Sequence, residues 1–236
     1  MDLKTLYAQA QDRTIAMVGA LPPDTLRRAV PATPGWTVAD VVCHLCGVAT
    51  DMSLGNVEGA ATPPWTARQV AERRGRSIDE VLVEWHECTP TLLGMLAQPG
   101  RVDASAFDLL THEHDLRGAL GLAGPSDAEA VEVVTSRLAQ RLSRVVEGAG
   151  LPTLHLVADG IEWVCGPGDA AATASASTME WFRAMMGRRS VGQVLTYGWH
   201  GEGDPSIYLA VLSLFGALPE QAVAEAGAPT ESTSVL

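Results

Sequence analysis

The first 120 residues carry four stretches in which apolar side chains recur at a helical spacing, and proline and glycine cut those stretches apart. This pattern limits the fold more than any other feature, because helices with one apolar stripe each must bury those stripes against one another. Leu3, Leu6, Tyr7, Ala10, Met17, Val18 and Leu21 mark the first helix, which Pro22-Pro23 ends. Thr37, with Asp40 three residues on, forms a capping pattern for the second, and Gly55 is placed to close it. A short helical stretch is expected from Trp65 to Arg74. Ser77 and Glu80 open a third long helix, and a fourth runs from about Ser105 to Leu120 before Gly121.

The pattern changes after Gly121-Leu-Ala-Gly124-Pro125, which reads as a domain boundary. A helix beginning at Ser126 and Glu129 follows. Thr153 to Val157 and Ile161 to Val164 then flank Asp159-Gly160, a two-residue hairpin signal that demands positive φ. Ala171 to Ser177 is a further strand candidate. Thr178 to Met186, Val191 to Tyr197 and Ile207 to Leu218 are expected to be helical. The reading is a two-domain α+β chain: a helical bundle over 1–124, a smaller α+β domain with an antiparallel sheet over 125–220, and a tail over 221–236, disordered from 227 onward.

The formal net charge of -12 and the scattered basic residues exclude a nucleic-acid footprint or an anionic-membrane anchor. No stretch approaches the ~20 apolar residues of a membrane span. The four cysteines are too sparse for a disulfide framework, so a reducing cytoplasm is expected, with the chain a monomer. Cys43 and Cys46 form a CxxC, but no strand precedes it, and apolar packing is the plainer reading. The abundance of Ala, Gly, Val and Arg suits a GC-rich bacterial genome.

His44 shares a helical stripe with Val41 and Val48, so its imidazole points into the bundle. Asp108 and His112 lie four apart on the fourth helix, with Asp115 further along the same face. Charge on a core face is costly unless a cation compensates it. Two histidines and one carboxylate form an open divalent-metal site, with a coordination position left for water or a thiol. An ordinary ion pair and a hydrogen-bonded core histidine would give the same spacing. Glu113 and His114 depart from that face and are expected at solvent or a domain interface.

Pro34-Gly-Trp-Thr-Val-Ala-Asp-Val-Val-Cys-His44-Leu and Asp108-Leu-Leu-Thr-His112-Glu-His-Asp115-Leu-Arg resemble the mycothiol-dependent maleylpyruvate isomerase family. The resemblance extends to Ala67 through Ser77, and to Asp159-Gly-Ile-Glu-Trp, Met186-Gly-Arg-Arg-Ser and Tyr197-Gly-Trp-His-Gly. It implies a DinB-like metal-binding four-helix bundle followed by a sterol-carrier-like domain. It also implies zinc held by His44, Asp108 and His112, and mycothiol as thiol cofactor. The family usually has Glu where Asp108 stands, one methylene longer. Asp115 is expected to support the ligands and is grouped with Arg188 as cofactor-binding.

Arg188 is the candidate for catalysis and for gripping a substrate or cofactor carboxylate, since a guanidinium fork matches that group. The plain alternative is an exposed arginine at a helix end. Trp199 and His200 precede a glycine-rich loop, where Trp199 reads more simply as packing. The function implied is thiol addition to a small electrophile, as a cis-trans isomerase or an S-transferase. A reading from another class is a non-catalytic metal- or ligand-binding protein that retains the bundle.

Overall fold

The computed structural model describes residues 1–98, 102–122, 124–201, 204–225 and 228–231. The chain divides into two compact units, Met1–Leu122 and Ala123–Leu236.

Among the described residues, six helices build the first unit: α1 (Leu3–Gly19), α2 (Pro23–Leu26), α3 (Val38–Leu54), α4 (Pro63–Arg73), α5 (Ile78–Leu96) and α6 (Asp103–Ala119). Their ends follow from local chemistry. Thr37 and Asp40 form a reciprocal capping box on α3, Ser77 and Glu80 form another on α5, and Gly55 closes α3 at φ 78°. Each such cap contributes about 1 kcal/mol. The four long helices form the bundle, α3 packing on α5 and α6 and α1 on α5 and α6, while α4 lies against α3. Trp85, Tyr7, Phe107, Leu92 and Leu109 fill the core, each worth about 2 to 3 kcal/mol of burial.

α6 departs from the one-stripe picture, being buried on every side from Ser105 to Leu116, apart from the partly exposed Asp108. Glu113 and His114 are therefore not at solvent, as their position off the Asp108 face predicted. Glu113 is 1% exposed and takes a two-pronged ion pair from Arg13, at 2.8 and 3.0 Å. His114 is buried with Nδ1 2.8 Å from the Leu110 carbonyl. A helix enclosed by neighbours has no solvent face to give its polar residues, so each must find a partner inside.

The second unit opens with α7 (Ala128–Gly148), capped by Asp127 rather than Ser126. Then come β1 (Thr153–Ala158), β2 (Ile161–Cys165), β3 (Ala170–Ser175), α8 (Thr178–Met185), α9 (Val191–Leu195), β4 (Gly198–Gly201) and α10 (Ser206–Leu212). Asp159 and Gly160 take φ of 47° and 84°, as the β1–β2 turn requires. The sheet order is β2-β1-β3-β4. It is mixed rather than purely antiparallel, because β3 returns beside β1 in parallel while β4 pairs antiparallel to β3. Leu154, Leu156 and Ala158 alternate inward under α7.

α10 ends at Leu212, six residues short of the predicted Leu218. Ser213 is extended there and the next residue, Leu214, bonds back to the Met185 carbonyl. The predicted tail from 227 lies largely outside the described residues. Its described part, 228–231, includes Pro229, whose carbonyl accepts from Gln193 at 3.0 Å.

Candidate metal centre

α3 and α6 pack directly, and this contact brings His44 of α3 to Asp108 and His112 of α6. One ligand atom from each lies within 4.8 Å of the other two. His44 Nε2 is 3.2 Å from Asp108 Oδ2, and His112 Nε2 is 3.5 Å from Asp108 Oδ1. Bonds of ~2.1 Å in a tetrahedral site set ligand atoms about 3.4 Å apart. The observed spacings suit that arrangement, so the shorter Asp side chain reaches far enough to meet both rings. Both histidines are buried, while the Asp108 side chain is 32% exposed and leaves a way in from solvent.

The outer nitrogen of each ring also faces a polar group. His112 Nδ1 lies 2.9 Å from Oδ2 of Asp115, a fully buried carboxylate three residues on. His44 Nδ1 lies 2.9 Å from Oε1 of Gln69, on α4. A carboxylate only accepts, and the closer of the two at His112 is Asp115, which favours a proton on Nδ1 and leaves Nε2 toward Asp108. Burial pushes the His112 pKa down, against the pull of Asp108 and Asp115, which favours the neutral ring that a metal needs. Lone pairs turned toward a carboxylate repel unless a cation or proton lies between them. A divalent metal is the group this donor set fits.

Trp36, just ahead of the α3 cap, packs on both rings, with centroids 5.1 Å from His44 and 6.0 Å from His112. Its place beside the Thr37 cap was the sequence signal for it. Gln69 was missed, as was Asp51, which accepts from Gln69 Nε2 at 2.7 Å. Asp51 stands seven residues after His44, on the same stripe as Val41 and Val48, and that periodicity could have found it.

Other sequence candidates stand apart from this cluster. Cys43 and Cys46 are buried, and burial pushes their thiols up to about 11 and about 12, the opposite of a reactive redox pair. Arg188 belongs to the second unit, half-buried after α8, where Nη1 donates to the Met186 carbonyl at 3.1 Å. Its neighbour Arg189 is the buried one, 2% exposed between Glu180 and Glu225. Trp199 stacks on Tyr208 with ring centroids 6.2 Å apart, a packing role, while His200 is exposed.

Residues 7–107 match the family model described as the mycothiol maleylpyruvate isomerase N-terminal domain. No curated protein matches the chain. The crystal structure of the mycothiol-dependent maleylpyruvate isomerase aligns with a TM-score of 0.52 and 16% identity, covering 86% of this chain and 93% of that one. A histidine-to-alanine mutant of that isomerase aligns with the same score and coverage at 15% identity. No described helix is long and apolar enough to cross a membrane. Residues 7–107 are thus similar to the mycothiol maleylpyruvate isomerase N-terminal domain, in line with the motifs around His44, and along most of its length the chain has the fold of that isomerase structure.

Proposed function

We propose that this chain is a metal-dependent enzyme that uses mycothiol to attack a small electrophile. One observation carries the reading: two buried imidazoles, one on α3 and one on α6, turn their Nε2 atoms toward a single carboxylate, 3.2 and 3.5 Å away. His44, Asp108 and His112 would hold a divalent cation, with zinc favoured by two nitrogens and one oxygen. Bound there, the cation would supply Lewis acidity that keeps a thiol as its thiolate. Asp115 and Gln69 orient the rings, and the Trp36 indole displaces water from one side of them.

The match over residues 7–107 and the shared isomerase fold support this chemistry. Thiol addition, bond rotation and elimination together give cis-trans isomerisation of a maleylpyruvate-type substrate. Addition alone gives a conjugate, the S-transferase outcome. A cytoplasmic setting, where thiols stay reduced, belongs to the same proposal. Arg188 is proposed as a carboxylate-recognition residue, and Arg188→Lys should then raise KM several-fold with kcat nearly unchanged.

The test is elemental analysis of the purified chain and of His112→Ala, followed by calorimetric titration with mycothiol and a maleylpyruvate assay. Stoichiometric metal in the wild type, lost in the variant, together with thiol binding is the expected result. A wild-type chain with neither metal nor thiol binding would overturn the reading. Metal without thiol binding would move the chain to the class of non-catalytic binding proteins.

A further inference from the structure

We infer that Gln69 and Asp51 form a positioning pair that selects the tautomer of His44, keeping its proton on Nδ1 and its Nε2 lone pair toward Asp108. The inference rests on His44 being a metal ligand, but its geometry stands independently. His44, Gln69 and Asp51 are all buried, at 4%, 0% and 4% exposure, so water cannot substitute for any contact among them.

A glutamine amide can point either way, and alone it would accept from Nδ1–H or donate to a bare Nδ1 with equal ease. Asp51 removes that freedom. Its carboxylate has no proton to give, so it requires the amide NH2, and Gln69 Nε2 donates to Asp51 Oδ2 at 2.7 Å. Oε1 is thereby turned to His44 Nδ1 at 2.9 Å, and a carbonyl oxygen only accepts, so Nδ1 must carry the proton. Arg68 Nη2, 3.0 Å from the same Asp51 oxygen, balances the buried charge.

The backbone is built for this approach. His44, Gly47 and Asp51 fall on one stripe of α3, at spacings of three and four. A Cβ on Gly47 would lie 2.5 Å from Gln69 Cβ and 2.7 Å from its Cγ. Only glycine lets α4 come close enough for the Gln69 amide to bridge two residues of α3. Arg73, the last residue of α4, donates Nη1 to the Gln69 carbonyl one turn back at 3.1 Å and ties the helix to Glu84 of α5 through its Nε and Nη2. His112 has no such relay: a carboxylate on its own helix, Asp115, lies 2.9 Å from its Nδ1.

The experiment reads the tautomer in the metal-free protein, by long-range 1H–15N correlation of labelled histidines, with His44 assigned through His44→Ala. Wild type should show the Nδ1–H form of His44. Asp51→Asn frees the amide to reverse, so the Nε2–H form should grow and zinc affinity should fall about 10- to 100-fold. The double variant Gln69→Glu with Asp51→Asn exchanges donor and acceptor, and should restore both the tautomer and the affinity. A purely structural role would lower stability in Asp51→Asn without moving the tautomer, and that result would overturn the inference. So would an Nε2–H form in the wild type. Failure of the wild type to bind zinc would sink the metal reading alone, since the tautomer is read without metal.

Discussion

In the second unit the guanidinium of Arg189 meets Glu180 through two bonds of 2.7 Å and Glu225 at 2.8 Å, and Arg183 grips the same Glu225. Tyr197 adds its hydroxyl to Glu180 at 3.0 Å, and burial with that carboxylate pushes its pKa up, so the proton stays on the phenol. Each donor there meets an acceptor and two cations face two anions. In the first unit the Nε2 atoms of His44 and His112 lie beside one carboxylate, Asp108, at 3.2 and 3.5 Å. The first arrangement balances its charges with side chains of the protein; the second, on the function proposed above, takes a cation. Buried charge alone therefore does not mark a functional site. What distinguishes the Asp108 cluster is its chemistry: two imidazoles and a carboxylate, all able to ligate a metal, bring their ligand atoms within 4.8 Å of one another.

The largest expected effect follows from that difference. Zinc at about 1,000 times its Kd should stabilise the wild type by about 4 kcal/mol, read as a rise in Tm, and His112→Ala should lose that rise. An equal rise in the variant would show the ion binding elsewhere and would erase the contrast. The closed network should respond in the opposite sense. Arg189→Met leaves Glu180 and Glu225 short of a partner, and should cost about 3 kcal/mol in urea unfolding with no change in zinc affinity. If its zinc affinity fell as well, the two clusters could not be treated as independent.

The same contrast explains what was legible in the sequence. Helix ends were, because Thr37 with Asp40 and Ser77 with Glu80 announce their caps locally, and the β1–β2 turn was, because Asp159-Gly160 is a local device. The His44, Asp108 and His112 set was readable because helical spacing put charge on an apolar face. The parallel pairing of β1 with β3 was not, since alternation reports which face is buried and not strand direction. β4 is a Gly-Trp-His-Gly segment with little strand propensity, and tertiary pairing overrides it. The burial of Glu113 and His114 was not legible either, because the solvent alternative assumes that α6 has a wet face. Gln69 was invisible for a different reason: its role depends on how closely α4 rides over Gly47, which no pattern within α4 records.

A third cluster sharpens the comparison with a smaller effect, because it is closed like the Arg189 network but lies nearer solvent. Glu84 on α5 accepts from Arg73 and Arg76 and from Thr50 Oγ1 at 2.9 Å, with its side chain 22% exposed. Burial raises its pKa, but these donors outweigh burial and hold it at about 2, against an ordinary value of 4.5. A carboxyl depressed by folding stabilises the native state above its unfolded pKa and loses that contribution as pH falls through the folded one. The Glu84 contribution, on the order of 2 kcal/mol after solvent screening, should be full above pH ~4.5 and fade toward pH ~2. Glu84→Gln removes the titrating group. The stability gap between wild type and variant, measured by urea unfolding across that range, should therefore narrow as the solution is acidified. A gap that stays constant with pH would mean the two arginines favour the glutamine amide as much as the carboxylate, and that charge balance is not what closes this network.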